Sequence, residues 1–154
     1  MFFDNFILEA DSGEIMEQIN IEFISSIPQD VKTFLKEGLT QHAIEQAGEG
    51  IKPFGFVIKE KDKIVGAITG KTFYGALYIR DLFVTPEFQK KGLGAKLMEK
   101  ALAYGQENNC SFAYLETTSY HRALHFYERF GFTVDFERKG YEKNISLYYL
   151  SKKF

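Results

Sequence analysis

Residues 84–95, Val-Thr-Pro-Glu-Phe-Gln-Lys-Lys-Gly-Leu-Gly-Ala, constrain this chain more than any other stretch. An apolar, strand-like run from Leu77 to Val84 stops at Thr85-Pro86, crosses a short basic loop with two glycines, and enters an amphipathic segment. The order predicts a strand, an anion-binding turn and a helix N-terminus. Gly92 and Gly94 carry no Cβ and tolerate positive φ, so successive N–H groups can converge on an anion near the chain. The following helix would aim its unpaired N–H groups and positive dipole end at the same point. Lys90, Lys91 and Lys96 add cationic charge, so the expected ligand carries phosphate. An ordinary glycine-containing loop between strand and helix shares this spacing. Two other phosphate motifs fit less well: a P-loop needs Gly-x-x-x-x-Gly-Lys-[Ser/Thr], and a dinucleotide fingerprint needs a third glycine where Leu97 stands.

Composition narrows the class. The chain has 154 residues, the size of one domain, and residues 1–154 are expected to form a single unit with a sizeable core. With 45% hydrophobic residues, 26% charged residues and a net charge of -2, it reads as a soluble globular protein without an obligatory nucleic-acid partner. The apolar start, Met1 to Glu9, lacks the basic opening and long h-region of a signal peptide. No run approaches the roughly 20 apolar residues of a spanning helix, so no membrane partner is expected. A lone cysteine, Cys110, suits a reducing compartment, and a cytoplasmic location is expected.

Along the chain, Ile19, Ile21 and Phe23 alternate through residues 18–25 and predict a first strand. Pro28-Gln29-Asp30 signals a helix start, with Val31, Phe34, Leu35, Leu39 and Ile44 at helical intervals and Gly38 as a candidate division between two helices. Gly48-Glu49-Gly50 and Pro53 read as turns. Phe56 to Ile58 and Ile64 to Ile68 flank Lys61-Asp62-Lys63 as a hairpin, and Tyr74-Gly75 feeds the run from Leu77 to Val84, giving an antiparallel meander. A helix starting at Leu93 should end near Asn108-Asn109. Residues 111–118 then form a strand parallel to the one before the glycine loop. A further helix, His121 to Phe130, should stop at Gly131, and two closing strands, 132–138 and 145–150, flank Lys139-Gly140. Tyr and Phe at strand spacing read as core.

Gln89-Lys90-Lys91-Gly92-Leu93-Gly94 resembles the [Gln/Arg]-x-x-Gly-x-[Gly/Ala] motif of the GNAT family of N-acetyltransferases. Tyr78-Ile79-Arg80-Asp81-Leu82-Phe83-Val84 resembles the family's fourth strand. Ala123 to Phe132 resembles its later helix, with the Phe-Tyr-x-x-x-Gly-Phe ending. The resemblance spans Phe54 to Leu150 and covers the first fifty residues only loosely. It implies a single α/β domain with a mixed, mostly antiparallel sheet, splayed to admit acetyl-CoA and flanked by helices. Residues 1–53 would help to form the acceptor side.

The chemistry so implied is direct acetyl transfer from a thioester to an amine. Gln89, Lys90, Lys91, Gly92, Leu93, Gly94 and Ala95 would hold the pyrophosphate. A backbone N–H near Leu82, Phe83 and Val84 would polarise the thioester carbonyl. Tyr127 matches the family's proton donor to the leaving thiolate; its alternative is a buried helix tyrosine. Asp81 and Glu116 are candidates for the base that deprotonates the amine, or for salt-bridged carboxylates at a strand end, Arg80 being the partner at hand. Arg80 occupies a position that is acidic in several polyamine-acetylating relatives, which speaks against polyamine specificity and against that base. Tyr120 stands where the family often has a pantetheine-contacting asparagine, and Ala123 is expected beside it at the cofactor. Homodimers are common in the family, and the apolar last strand offers an edge for one.

Other readings are weaker. His121 and His125 are four apart, but Arg122 replaces the glutamate of His-Glu-x-x-His, so no metal site is expected. Cys110 reads as a small buried hydrophobe rather than a nucleophile. From other functional classes, a catalytically silent acyl-CoA-binding module and a purely structural domain remain as alternatives.

Overall fold

The computed structural model describes residues 20–48, 50–121 and 123–154. By internal contacts the chain divides into two compact units, Met1–Lys36 and Glu37–Phe154. The described strands all belong to the second: β1 Lys52–Glu60, β2 Lys63–Phe73, β3 Ala76–Val84, β4 Phe112–Thr118, β5 Thr133–Arg138 and β6 Leu147–Lys153. They form one sheet in the order β1-β2-β3-β4-β6-β5. The helices are α1 Gln29–Ala47, α2 Leu93–Glu107 and α3 Leu124–Glu128.

The expected meander is formed, β1 and β3 both lying antiparallel to β2. Tyr74 and Gly75 both take positive φ, 50° and 72°, the backbone that closes a two-residue hairpin with the twist of its strands. β4 runs parallel to β3, as a crossover through α2 requires, and every other neighbouring pair is antiparallel. The apolar stripe of α2 buries Leu97, Met98, Ala101 and Gly105. They meet a sheet face built by Ile68, Leu77, Ile79, Leu115 and Leu150, with Phe132 closing the cluster. Burying each of the larger side chains stabilises the fold by about 1.5–3 kcal/mol. Cys110 is buried in the same cluster, as a small hydrophobe would be. Gly70 marks a close approach: a Cβ there would land on the Tyr78 carbonyl oxygen and within 2.7 Å of the Phe54 ring.

Several expectations need correction. Residues 20–25 are not in a strand, and Ile21 and Phe23 are more than 90% exposed; the predicted strand's residues 18 and 19 lie outside the described residues. Alternation specifies which side chains share a face, but a strand also needs a neighbour for its backbone groups, and residues 20–25 have no ladder partner in the sheet. Gly38 does not divide α1, because a helix interior absorbs one glycine at a cost of about 1 kcal/mol. An i,i+4 hydrogen bond from Gln41 Nε2 to Glu45 Oε1, 2.8 Å, supports the turn that follows. Pro53 lies inside β1 rather than in a turn, on an edge strand where a missing N–H is tolerated.

The helix expected over 121–130 is shorter. A 3-10 turn, Ser119–His121, leaves β4, and α3 begins only at Leu124. Phe130 N–H then donates to Tyr127 O, a tightening that ends the helix, and Gly131 follows at φ 84°. Last, β6 is not an edge: it pairs with β4 on one side and β5 on the other. The chain lays β5 outside and returns between it and β4, so the sheet edges are β1 and β5.

Candidate active site

The pairing of β3 with β4 ends at Ile79–Leu115, whereas β3 continues beside β2 to Val84. The divergence has a local cause. Thr69 pairs with Asp81 and Gly70 with Ile79, which leaves Arg80 as an extra residue in β3. Such a bulge bends its strand and adds twist. From residue 80 onward the β4-facing backbone groups of β3 therefore have no partner in that ladder.

The glycine loop follows directly. A 3-10 turn, Pro86–Phe88, is pinned by Thr85 N–H to Val65 O at 2.9 Å. Gln89 Nε2 donates to Val84 O at 2.8 Å, tying the loop to the end of β3. Lys90 and Gly92 take positive φ, 58° and 79°, and Gly92 caps α2 without a side-chain hydrogen bond to its first N–H groups. A Cβ on Gly92 would meet nothing within 4 Å, and one on Gly94 only the Phe126 ring at 3.8 Å. Lys91 Nζ lies 5.0 Å from the Phe88 ring centroid. Open space beside Gly92, N–H groups without a side-chain cap, a positive dipole end and exposed lysines together suit a phosphate group.

Two buried hydroxyls, Thr85 Oγ1 and Thr118 Oγ1, have no hydrogen-bond partner among the described residues. They stand at the C-terminal ends of the two strands that flank the opening.

The sequence-predicted residues divide between three places. Leu82 and Val84 turn to the α2 side, packed against or within the core, while Phe83 faces the other way and is 62% exposed. Residues 89–95 form the loop and first turn of α2. Tyr127 is largely buried on α3, its ring edge-on to Phe126 at 5.3 Å and to Phe132 at 6.2 Å, and burial pushes its phenol pKa up. Ala123 is the N-cap of α3, and Tyr120 is exposed in the preceding 3-10 turn.

Asp81 Oδ2 accepts hydrogen bonds from Arg80 Nε at 2.7 Å and Thr69 Oγ1 at 2.8 Å. The Arg80 hydrogen bond is the main cause that holds this carboxyl below the usual range. Glu116 lies on β4, on the sheet face turned from α2, where Tyr78 OH donates to its Oε1 at 3.3 Å. Burial first, then the Glu116 charge, pushes Tyr78 up to about 12 and Tyr114 likewise. Tyr78 was absent from the sequence-based candidates. Its relation to Glu116 depends on the β3/β4 register, which sequence spacing does not carry.

The profile of the Acetyltransferase (GNAT) family matches residues 21–132, well over half of the chain. The chain belongs to the GNAT acetyltransferases. These are acetyl-CoA-dependent acyltransferases, and acetyl-CoA fits as the co-substrate. An Agrobacterium fabrum acetyltransferase is 29% identical over 122 residues, 78% of this chain and 88% of that protein. An Archaeoglobus fulgidus N-acetyltransferase is 53% identical over 51 residues, 32% of this chain and 34% of that protein. Among solved structures, an acetyltransferase of Bacillus cereus superposes with TM-score 0.68 at 20% identity, covering 86% of this chain and 98% of its own, and shares the GNAT fold. Among the described residues no group of three or more His, Cys, Asp or Glu side chains could hold a metal ion. No described helix is long and apolar enough to cross a membrane.

Proposed function

We propose that this GNAT chain transfers an acetyl group from acetyl-CoA to a primary amine by direct attack in a ternary complex. The observation that carries the reading is the divergence of β3 from β4 beside an uncapped, lysine-flanked helix N-terminus. Residues 89–95 would hold the pyrophosphate, and backbone N–H groups near Leu82 to Val84 would polarise the carbonyl. The amine nitrogen bonds to the carbonyl carbon and the C–S bond breaks. Tyr127 supplies a proton to the leaving sulfur; its raised pKa keeps the phenol protonated and able to donate. The ammonium proton passes to Glu116, directly or through water. Asp81 is the weaker candidate, because its hydrogen bond to the Arg80 guanidinium lowers its carboxyl pKa and with it its strength as a base.

A cytoplasmic location is favoured by the buried thiol of Cys110. A homodimer would use the β5 edge, where Val134 and Phe136 are exposed, and a monomeric mass in solution would count against it.

The test is thermal unfolding with acetyl-CoA, with adenosine as control and Gly92→Arg as a blocked loop. Binding to the native state raises apparent stability by about 2.7 kcal/mol at a ligand concentration 100 times Kd. A shift with acetyl-CoA that the variant loses, followed by thiol release when amines are added, supports the transferase. A shift without thiol release from any amine would instead favour a silent acyl-CoA-binding domain. No shift at millimolar acetyl-CoA would overturn the clamp itself.

A further inference from the structure

On β4 the buried Ala113 and Leu115 face the core, and Phe112, Tyr114 and Glu116 alternate onto the opposite sheet face. That face holds a groove of about 730 Å3, lined chiefly by Phe73, Tyr74, Phe112, Tyr114 and Tyr149. The volume is in the range of small-molecule sites. These aromatics were read from the sequence as core, and they line a surface instead.

The rings form a continuous track. Phe73 is 5.5 Å from Tyr74 and 6.3 Å from Tyr114, and Tyr114 is 6.0 Å from Phe112 and 4.9 Å from Tyr78. The track ends at a carboxylate: Tyr78 OH donates to Glu116, and Tyr149, which lines the groove, is paired across from Glu116 on β6. Directly opposed residues on one face have Cβ atoms about 4.5–5.5 Å apart. Glu116 is the first β4 residue past the last β3–β4 pair, Ile79–Leu115. The groove itself lies at the strand starts, and Glu116 stands just outside it, across from its Tyr149 lining and on the side of the opening.

The geometry points to an arylalkylamine as the acceptor class, its ring lying on the Phe73–Tyr114 floor and its ammonium directed to Glu116. This rests on the transferase reading above. Charge favours it over a polyamine. The cation position over the track is already taken, Lys71 Nζ lying 4.8 Å from the Phe73 centroid and 5.7 Å from that of Tyr78. At the groove Lys153 is offset by the Asp135 carboxylate, and Arg80 at the bulge is paired with Asp81, so Lys71 is the charge that bears on the floor. A second ammonium laid over the floor would meet the Lys71 charge, whereas an uncharged ring finds an apolar surface beneath it.

The experiment compares 2-phenylethylamine, hexylamine and spermidine at saturating acetyl-CoA, for the native chain, Phe73→Ala and Phe112→Ala. Direct binding of 2-phenylethylamine is followed in parallel by quenching of tyrosine fluorescence. Phe112 is 37% exposed, so its variant tests the floor without opening the core. In each variant KM for 2-phenylethylamine should rise by about tenfold with kcat nearly constant, since losing one aromatic contact costs about 1.4 kcal/mol. Spermidine should show kcat/KM at least about tenfold lower than 2-phenylethylamine in the native chain. Binding of 2-phenylethylamine that both variants weaken, with no acetyl transfer, would uphold the groove while the transferase reading fails. Spermidine used as well as 2-phenylethylamine, or KM unmoved in both variants, would overturn the groove while acetyl transfer stands. Absence of both binding and transfer would overturn it too.

Discussion

Tyr127 is a tyrosine among aromatic neighbours, and its hydroxyl is the only part of it that the proposed chemistry needs. Tyr127→Phe keeps the ring contacts with Phe126 and Phe132. We expect kcat to fall by about 10²-fold or more, in keeping with loss of a general acid, while the acetyl-CoA-induced thermal shift stays unchanged. An equal loss of cofactor binding would assign Tyr127 to packing. Tyr78 and Tyr114 offer a second check. Both are pushed up to about 12, against about 10 unfolded, so their contribution to stability is complete below pH 10 and disappears as pH rises through 12. Tyrosinate absorbance should show these two titrating near pH 12, and Glu116→Gln should bring both midpoints down. The Asp81 carboxyl runs the other way: its contribution is present above the unfolded value and is lost as pH falls below it, and its exposed setting makes the effect small.

Among elements, the loop before α2 is where backbone conformation matters most. Gly92 sits at φ 79° with open space around it, so Gly92→Ala is strained without being blocked. A destabilisation of about 1 kcal/mol is expected, with weaker acetyl-CoA binding as the loop relaxes away from its N–H convergence. Gly70→Ala differs in kind. Its new Cβ would collide with the Tyr78 backbone, and chemical denaturation should show a loss of about 3 kcal/mol or more. The need for glycine at 92 was readable, because a basic Gly-x-Gly stretch between an apolar run and an amphipathic one has few structural uses. The need at 70 was not, since it arises from Phe54 and Tyr78, residues on two neighbouring strands. The bulge at Arg80 was hidden for the same reason: it exists only as a mismatch between β2 and β3.

For the whole molecule, periodicity along the chain foretold the meander, the α2 crossover, the parallel β4 and the closing pair of strands. Those features follow from local alternation, turn residues and the single amphipathic stripe of α2, all written in neighbouring residues. The resemblance in residues 89–94, 78–84 and 123–132 added the family, which the match over residues 21–132 bears out. Strand order at the far edge, with β6 inside β5, lay beyond reach because it depends on which strand wins the β4 edge. The two faces of the sheet were equally hidden. Alternation places Phe112, Tyr114 and Glu116 together, but whether that side is core or surface depends on which face α2 covers. Local chemistry along the chain thus set the phosphate loop and the element types, because their interactions span few residues. Packing between distant strands set the opening beside Ile79 and Leu115, the Tyr78–Glu116 hydrogen bond and the aromatic groove, because each is made by groups that meet only once the sheet has formed.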